Sequence, residues 1–332
     1  MKILIIRFSS IGDIVLTTPV IRCLKNQLPD VEIHFLTKKK FEILIESNPF
    51  IDKKIYLENS LQKLISQLNE EKYDLIIDLH KNLRSLIIKL DLGVPTRSFR
   101  KINFLKFLAV LFRSKKILPK KHIVERYMKT VKHLKVTNDG MGLDYFIPQK
   151  DTLQIKDLPL THVHGFVAIA IGAQHFTKKL PIKRIKELCE KLDVPVVLLG
   201  GNEDRANAEE IRKGLEIKVY NACGIYNLNQ SASMLNLSKK VIAHDTGLMH
   251  IAAALKKEII SVWGNTIPEF GMSPYFGEKN LPLQNAKNST MMEVKNLSCR
   301  PCSKLGKQKC PEGHFNCMNQ INLDKVAELV SR

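Results

Sequence analysis

Residues 244–255, HDTGLMHIAAAL, pass from a short apolar run into an alanine-rich stretch, the pattern of a strand end feeding a helix. Asp245 or Thr246 can cap that helix, and Gly247 leaves the backbone bare. The first-turn N–H groups of Thr246, Gly247 and Leu248 then face an anion at the positive end of the helix, chemistry that suits a phosphate. His250 follows Thr246 by four residues, which puts its ring on the same helical face. Upstream, GAQHFTKKLP (172–181) again joins a strand to a helix. It offers Gln174, and Lys178 and Lys179 just before the helix, where a lysine either neutralises a diphosphate or stays solvated in the loop. A third strand end, LLGGNEDR (198–205), carries Glu203 and Asp204, where a carboxylate can accept hydrogen bonds from ribose hydroxyls.

The chain opens differently. KILII runs into RFSSIGDIVLTTPV (7–20), which has one glycine, two serines and an aspartate where a phosphate loop would be glycine-rich. With the nucleotide assigned to the second half, Asp13 has two readings. It can take a proton from an incoming hydroxyl, or it can simply cap the following helix. Gly12 permits close approach, and Ser9 and Ser10 add hydrogen bonds. LHKNLRS (79–85), past the fourth strand, places Lys81 and Arg84 at a strand end.

The elements that must hold these residues alternate between strand and helix, as in parallel α/β folds. Strands are expected at 2–8, 31–37, 53–57 and 73–79, and a helix over 13–28 through Ile14, Ile21, Leu24 and Leu28. Long basic helices are expected around 101–134. A polar connector, 148–165, precedes a second series of strands at 166–171, 195–201, 218–224, 240–244 and 258–264. NLDKVAELVSR forms a closing helix capped by Asn322. The reading is two doubly wound parallel-sheet domains with a ligand cleft between them at the carboxyl ends of the strands.

The chain has 332 residues, 52 Lys and Arg against 33 Asp and Glu, and a formal charge of +19. That excess attracts polyanions. Arg97 to Lys135 holds thirteen Lys or Arg and one acid, Glu125. Within it FLKFLAVLF (104–112) suits either a helix lying in a lipid headgroup layer or a buried helix with a solvated basic flank. Motifs of nucleic-acid modules are missing from this stretch, so no specific nucleic-acid partner is expected. The first residues lack the layout of a signal peptide, and the odd number of cysteines, seven, suits a reducing compartment; a cytoplasmic protein is expected. Cys299, Cys302, Cys310 and Cys317 are spaced C-x2-C-x7-C-x6-C, leaving a structural zinc site, a disulfide or buried thiols open. Cys23, Cys189 and Cys223 fall on core positions.

Together these motifs resemble glycosyltransferase family 9, the ADP-heptose:lipopolysaccharide heptosyltransferases, over essentially the whole chain. Arg7, Ser9, Ser10, Gly12 and Asp13 match its opening motif. Asp245, Thr246, Gly247 and His250 match its Asp-Thr-Gly-x-x-His motif, and Lys178 with Pro181 a lysine three residues before a helix-starting proline. Gly264, Thr266 and Pro268 match its Gly-x-Thr-x-Pro loop. Leu180 stands where the family usually has an aromatic residue, and 97–135 matches no family motif residue by residue.

The resemblance implies the GT-B fold, two Rossmann-like domains, with an acceptor domain over 1–150, a nucleotide-sugar domain over 160–315 and a closing helix over 316–332. It also implies metal-independent transfer with inversion: Asp13 as base, Lys178 and the N–H groups of Thr246, Gly247 and Leu248 on the leaving diphosphate, and Glu203 or Asp204 on the ribose. The partners implied are ADP-heptose and an anionic lipopolysaccharide-core acceptor at the cytoplasmic face of the inner membrane, with no cofactor required. An epimerase of the same two-domain plan and a non-enzymatic basic polyanion binder are the competing readings.

Overall fold

In the KILII run every residue but the first is buried, so it is a central rather than an edge strand, β1 (Lys2–Ile6). The computed structural model describes residues 1–277 and 288–332, and its contacts divide the chain into two units. The first comprises Met1–Lys101 and Lys121–Phe146, the second Ile102–Lys120 and Ile147–Arg332.

The first unit places β1 between β2 (Glu32–Lys38) and β4 (Leu75–Asp78), with β3 (Lys53–Leu57) and β5 (Thr96–Ser98) at the edges. The order is β3-β2-β1-β4-β5, all parallel. Ile6 pairs with Asp78, so Arg7 and Leu79 leave the sheet side by side at its carboxyl edge. The covering helices are α1 (Ile11–Val15), α2 (Thr18–Gln27), α3 (Leu61–Glu70), α4 (Leu83–Leu92) and, beyond residue 120, α6 (Ile123–Met128). Leu4, Ile6, Phe8, Leu36, Ile55, Leu64, Leu68 and Ile88 form one side of its core.

The second unit orders β11-β10-β9-β6-β7-β8, again all parallel. These strands are β6 (Val167–Ala170), β7 (Val196–Leu199), β8 (Val219–Asn221), β9 (Lys240–His244), β10 (Ile259–Trp263) and β11 (Ser289–Glu293). Its helices are α5 (Asn103–Leu111), α7 (Ile182–Lys191), α8 (Arg205–Arg212), α9 (Leu228–Leu237), α10 (Gly247–Ala254), α11 (Asn316–Asn319) and α12 (Leu323–Ser331). The loops after β6, β7, β9 and β10 all emerge at the carboxyl edge of this sheet. The closing helix is α12, capped by Asn322, whose side chain accepts the Lys325 N–H at 2.8 Å. It buries Val326 and Val330 in the same core as Ile185 and Leu188 of α7.

The nine strands read from the sequence all form. The helix expected over 13–28 is instead two helices, α1 and α2, because Pro19 in the first turn of α2 marks a helix start rather than an interior position. The long basic helices expected around 101–134 are the short α5 and α6, with residues 112–122, including Pro119, outside helix. Residues 102–120 pack with the second unit instead of the N-terminal half: Ala109 and Leu118 are buried against Ile267 and Phe270. The connector 148–165 contains three short 3-10 turns. Among the described residues no helix is long and apolar enough to cross a membrane.

Candidate functional site

In the first unit the site grows from the paired ends of β1 and β4. Asp78 closes β4 fully buried, and its carboxylate is saturated. Oδ1 accepts the N–H groups of His80 (3.0 Å) and Lys81 (2.6 Å); Oδ2 accepts the Ser85 hydroxyl (2.8 Å) and pairs with Lys89 (2.8 Å). Those bonds hold the turn 79–82 and the start of α4 in one conformation, with Asn82 as cap accepting the Ser85 N–H at 2.9 Å. The turn presents the Leu79 carbonyl to the Arg7 guanidinium, which also donates to the Tyr127 hydroxyl (2.9 Å) and the Ser9 carbonyl (2.7 Å).

Held on three sides, Arg7 pairs through Nη2 with Asp13 Oδ1 at 2.7 Å. The other oxygen, Oδ2, accepts the Ser10 hydroxyl at 2.7 Å and the Ser10 N–H at 3.2 Å. Asp13 closes a capping box at the start of α1, one of its two readings, while its side chain keeps 19% exposure.

Beside it, burial together with the charges of Arg7 and Lys101 drives His80 down to about 4, so its imidazole is neutral near pH 7. Burial also lowers the Lys101 ammonium, which donates to the Lys81 carbonyl at 2.7 Å. Lys81 and Arg84 are exposed at the start of α4, and Gly12 is buried within α1.

Sequence reasoning passed over Asp78, His80 and Arg126. A carboxylate ending an otherwise apolar strand was the available signal for Asp78. Arg126 on α6 is 7% exposed, and its Nε and Nη2 have no hydrogen-bond partner among the described residues. Burial lowers its guanidinium from the usual value.

In the second unit the loops after β6, β9 and β10 converge. Lys178 donates to Asp245 Oδ2 at 2.6 Å and to its carbonyl at 3.2 Å, and Thr266 donates to the same Oδ2 at 3.0 Å. Asp245 thus aims the Lys178 ammonium, leaving its third N–H outside these bonds. Gly264, just before Thr266, packs so closely that a Cβ there would lie 2.9 Å from the Thr177 carbonyl.

Thr246 is the N-cap residue of α10 without a side-chain cap bond, and its hydroxyl is buried with no partner among the described residues. Gly247, Leu248 and Met249 form the first turn, whose N–H groups have no intrahelical acceptor. Asn265, 1% exposed, has both amide atoms without a partner among the described residues, and the sequence reading did not single it out. His250, expected on the ligand face with Thr246, is buried at 2% exposure.

Of the two ribose candidates, Asp204 is buried and engaged. It pairs with Lys179 at 2.7 Å, accepts the Gly201 N–H at 3.2 Å, and is packed so that a Cβ on Gly172 would lie 2.4 Å from its oxygen. Glu203 and Gln174 remain exposed. Leu180, in the usual aromatic position, is buried and donates its N–H to His244 Nε2 at 3.0 Å. Burial, reinforced by the Lys179 charge, lowers that histidine to about 4.

The family model for glycosyltransferase family 9 (heptosyltransferase) matches residues 61–310. The chain belongs to that family. It is 26% identical to lipopolysaccharide heptosyltransferase 1 of Campylobacter coli over 80% of this chain and 84% of that protein. It is 24% identical to lipooligosaccharide heptosyltransferase 2 of Campylobacter jejuni over 99% and 97%. Among solved structures, the E. coli heptosyltransferase WaaC with ADP superimposes with a TM-score of 0.68 at 21% identity, covering 100% of this chain and 99% of that one. The family 9 glycosyltransferase from Veillonella parvula gives 0.71 at 22%, covering 88% and 86%. The fold is accordingly GT-B, and the chain is a glycosyltransferase, as its opening and Asp-Thr-Gly motifs implied.

The late cysteines, Cys299, Cys302, Cys310 and Cys317, are free thiols, as are the buried Cys23, Cys189 and Cys223. No cluster of three or more His, Cys, Asp or Glu suited to a metal ion occurs among the described residues.

Proposed function

We propose that this family member transfers a heptose from ADP-heptose to a hydroxyl of a lipopolysaccharide inner-core acceptor, with inversion and without a metal ion. The observation that carries this reading is the Asp13 carboxylate, partly exposed just beyond β1 and held at both oxygens by Arg7 and Ser10. A base for an acceptor hydroxyl must be reachable and fixed in direction; the 19% exposure of Asp13 supports the first and its bonds to Arg7 and Ser10 the second. Asp13 takes the proton of the attacking hydroxyl as the new glycosidic bond forms and the bond to the diphosphate breaks.

In the second unit the diphosphate sits against the first turn of α10, with the third N–H of Lys178, the Thr246 hydroxyl and the N–H groups of Gly247 and Leu248 as donors. Charge builds on the leaving phosphate in the transition state, so donors fixed beforehand by Asp245 lower the barrier there. This takes the place of a metal in the reading. Glu203, exposed where Asp204 is not, holds the ribose, and Gln174, exposed in the loop after β6, adds a polar contact to the nucleotide. Lys81 and Arg84 meet anionic groups of the acceptor.

The acceptor is a lipid, so the enzyme works peripherally on the cytoplasmic face of the inner membrane. Supporting this is α5, where Phe104, Phe107 and Leu111 are 70%, 50% and 59% exposed, with Phe112 just beyond its end 66% exposed. Lysines and arginines lie on both sides of this apolar stripe in sequence.

The test is to incubate the protein with ADP-heptose and inner-core lipid, with and without EDTA. The expected result is a mass gain of one heptose, unchanged by the chelator, with the anomeric configuration inverted by NMR. Asp13→Asn should lower kcat roughly 10²–10⁴-fold while ADP binding persists. Full turnover by that variant would refute the assignment of the base.

A further inference from the structure

The helix rooted in the Asp13 site carries a feature that transfer itself does not use. On α4, Leu83, Leu86, Ile87 and Leu90 fall at i, i+3, i+4 and i+7, one continuous helical face. That face is turned outward, with exposures of 72%, 45%, 40% and 73%, while Ser85 and Ile88 point into the unit. Single exposed apolar residues are ordinary on a protein surface. Four in register on one short helix are an unpartnered apolar face.

We propose that this face of α4 is a lipid-docking element that seats in the interfacial layer of a bilayer rich in anionic headgroups. This rests on the membrane-bound acceptor of the functional reading and assigns it a second contact, in the unit that holds the base. The occupant follows from charge. Between Leu79 and Lys101 there are six Lys or Arg and one acid, Asp91. Lys81 and Arg84 are exposed at the start of the helix, and Arg97 and Arg100 are exposed beyond its end. An apolar stripe rimmed by cations matches acyl chains beneath anionic headgroups. A second copy of the chain would bring an identical cationic rim against this one, which opposes pairing through the same face.

Anchorage here has a direct path to the chemistry. Asn82 caps the helix and Ser85 bonds Asp78, and the same turn gives its Leu79 carbonyl to Arg7, the partner of Asp13. A helix seated in the headgroup layer therefore sets the depth at which the carboxylate meets a lipid-linked hydroxyl.

The experiment sediments the full chain and its Leu83→Gln/Leu90→Gln variant with vesicles of phosphatidylcholine, with or without 30% phosphatidylglycerol. Both are also assayed for heptose transfer to a de-acylated, water-soluble acceptor, and their free oligomeric state is measured by analytical ultracentrifugation. The wild type should bind only the anionic vesicles. The variant should bind them roughly tenfold more weakly or worse, since two apolar insertions are lost. Its turnover on the soluble acceptor should be unchanged. Equal vesicle binding by both proteins would overturn the proposal. So would a wild-type dimer that the variant abolishes, which would make the face a protein interface. Vesicle binding that needs Leu83 and Leu90, in a protein that transfers no heptose, would leave the docking element standing and refute the functional reading alone.

Discussion

Acid should weaken the second unit through one histidine. His244 ends β9 at 2% exposure and accepts the Leu180 N–H on Nε2 at 3.0 Å, which requires that nitrogen to be unprotonated. Burial first, and the nearby Lys179 charge second, bring it from 6.5 to about 4. The unfolded chain therefore takes up a proton as pH falls through 6.5, whereas the folded chain resists until about 4. More protons on the unfolded state mean that stability falls as pH falls, and only within that window. At about 1.4 kcal/mol per tenfold, the full window is worth about 3 kcal/mol, of which about 2 kcal/mol is gone by pH 5. For a unit of this size that corresponds to a Tm lowered by about 4–8 °C. The comparison is His244→Gln, whose side-chain oxygen can accept the same N–H and does not titrate. Scanning calorimetry of both proteins between pH 7 and 5 should show the wild type losing that much more than the variant. Parallel curves would refute the argument, since acid loss would then come from other groups.

Lys178→Gln should lower kcat roughly 10²–10³-fold in the heptose-transfer assay, because one donor to the departing charge is removed. Arg126→Met should raise the Tm of the free protein, by roughly 1–3 kcal/mol of stability, because it deletes a buried guanidinium with unsatisfied nitrogens; a lower Tm would show that the arginine is compensated. Thr246→Val should leave thermal stability unchanged, since its hydroxyl has no partner among the described residues, and weaken ADP roughly 10–100-fold by calorimetric titration.

What the sequence made legible followed from burial on both faces. The nine strands read in advance are apolar runs because helices cover both sides of each sheet, and the strand ends carrying Asp13, Lys178 and Asp245 came with them. The two strands passed over, β5 with TRS and β11 with STMME, are short or partly exposed edge strands, where apolar periodicity has no cause to appear. The capping role of Asp13 was readable from its position, but its pairing with Arg7 was not. That contact depends on Leu79, seventy-two residues from Arg7, being brought alongside by strand pairing. Arg126 and Asn265 were invisible for the opposite reason, since what distinguishes them is buried polar atoms with no partner among the described residues, which a sequence does not display.

Because residues 102–120 leave the first unit and pack with the second, the backbone passes between the two at three places rather than one. No single cut yields two self-sufficient pieces. A fragment ending at residue 146 would retain α5 stripped of Ile267 and Phe270, and the complementary fragment would lack the helix that covers them. Co-expressed halves should rejoin only when the break falls elsewhere, and a change in orientation between the units must twist three polypeptide crossings in concert.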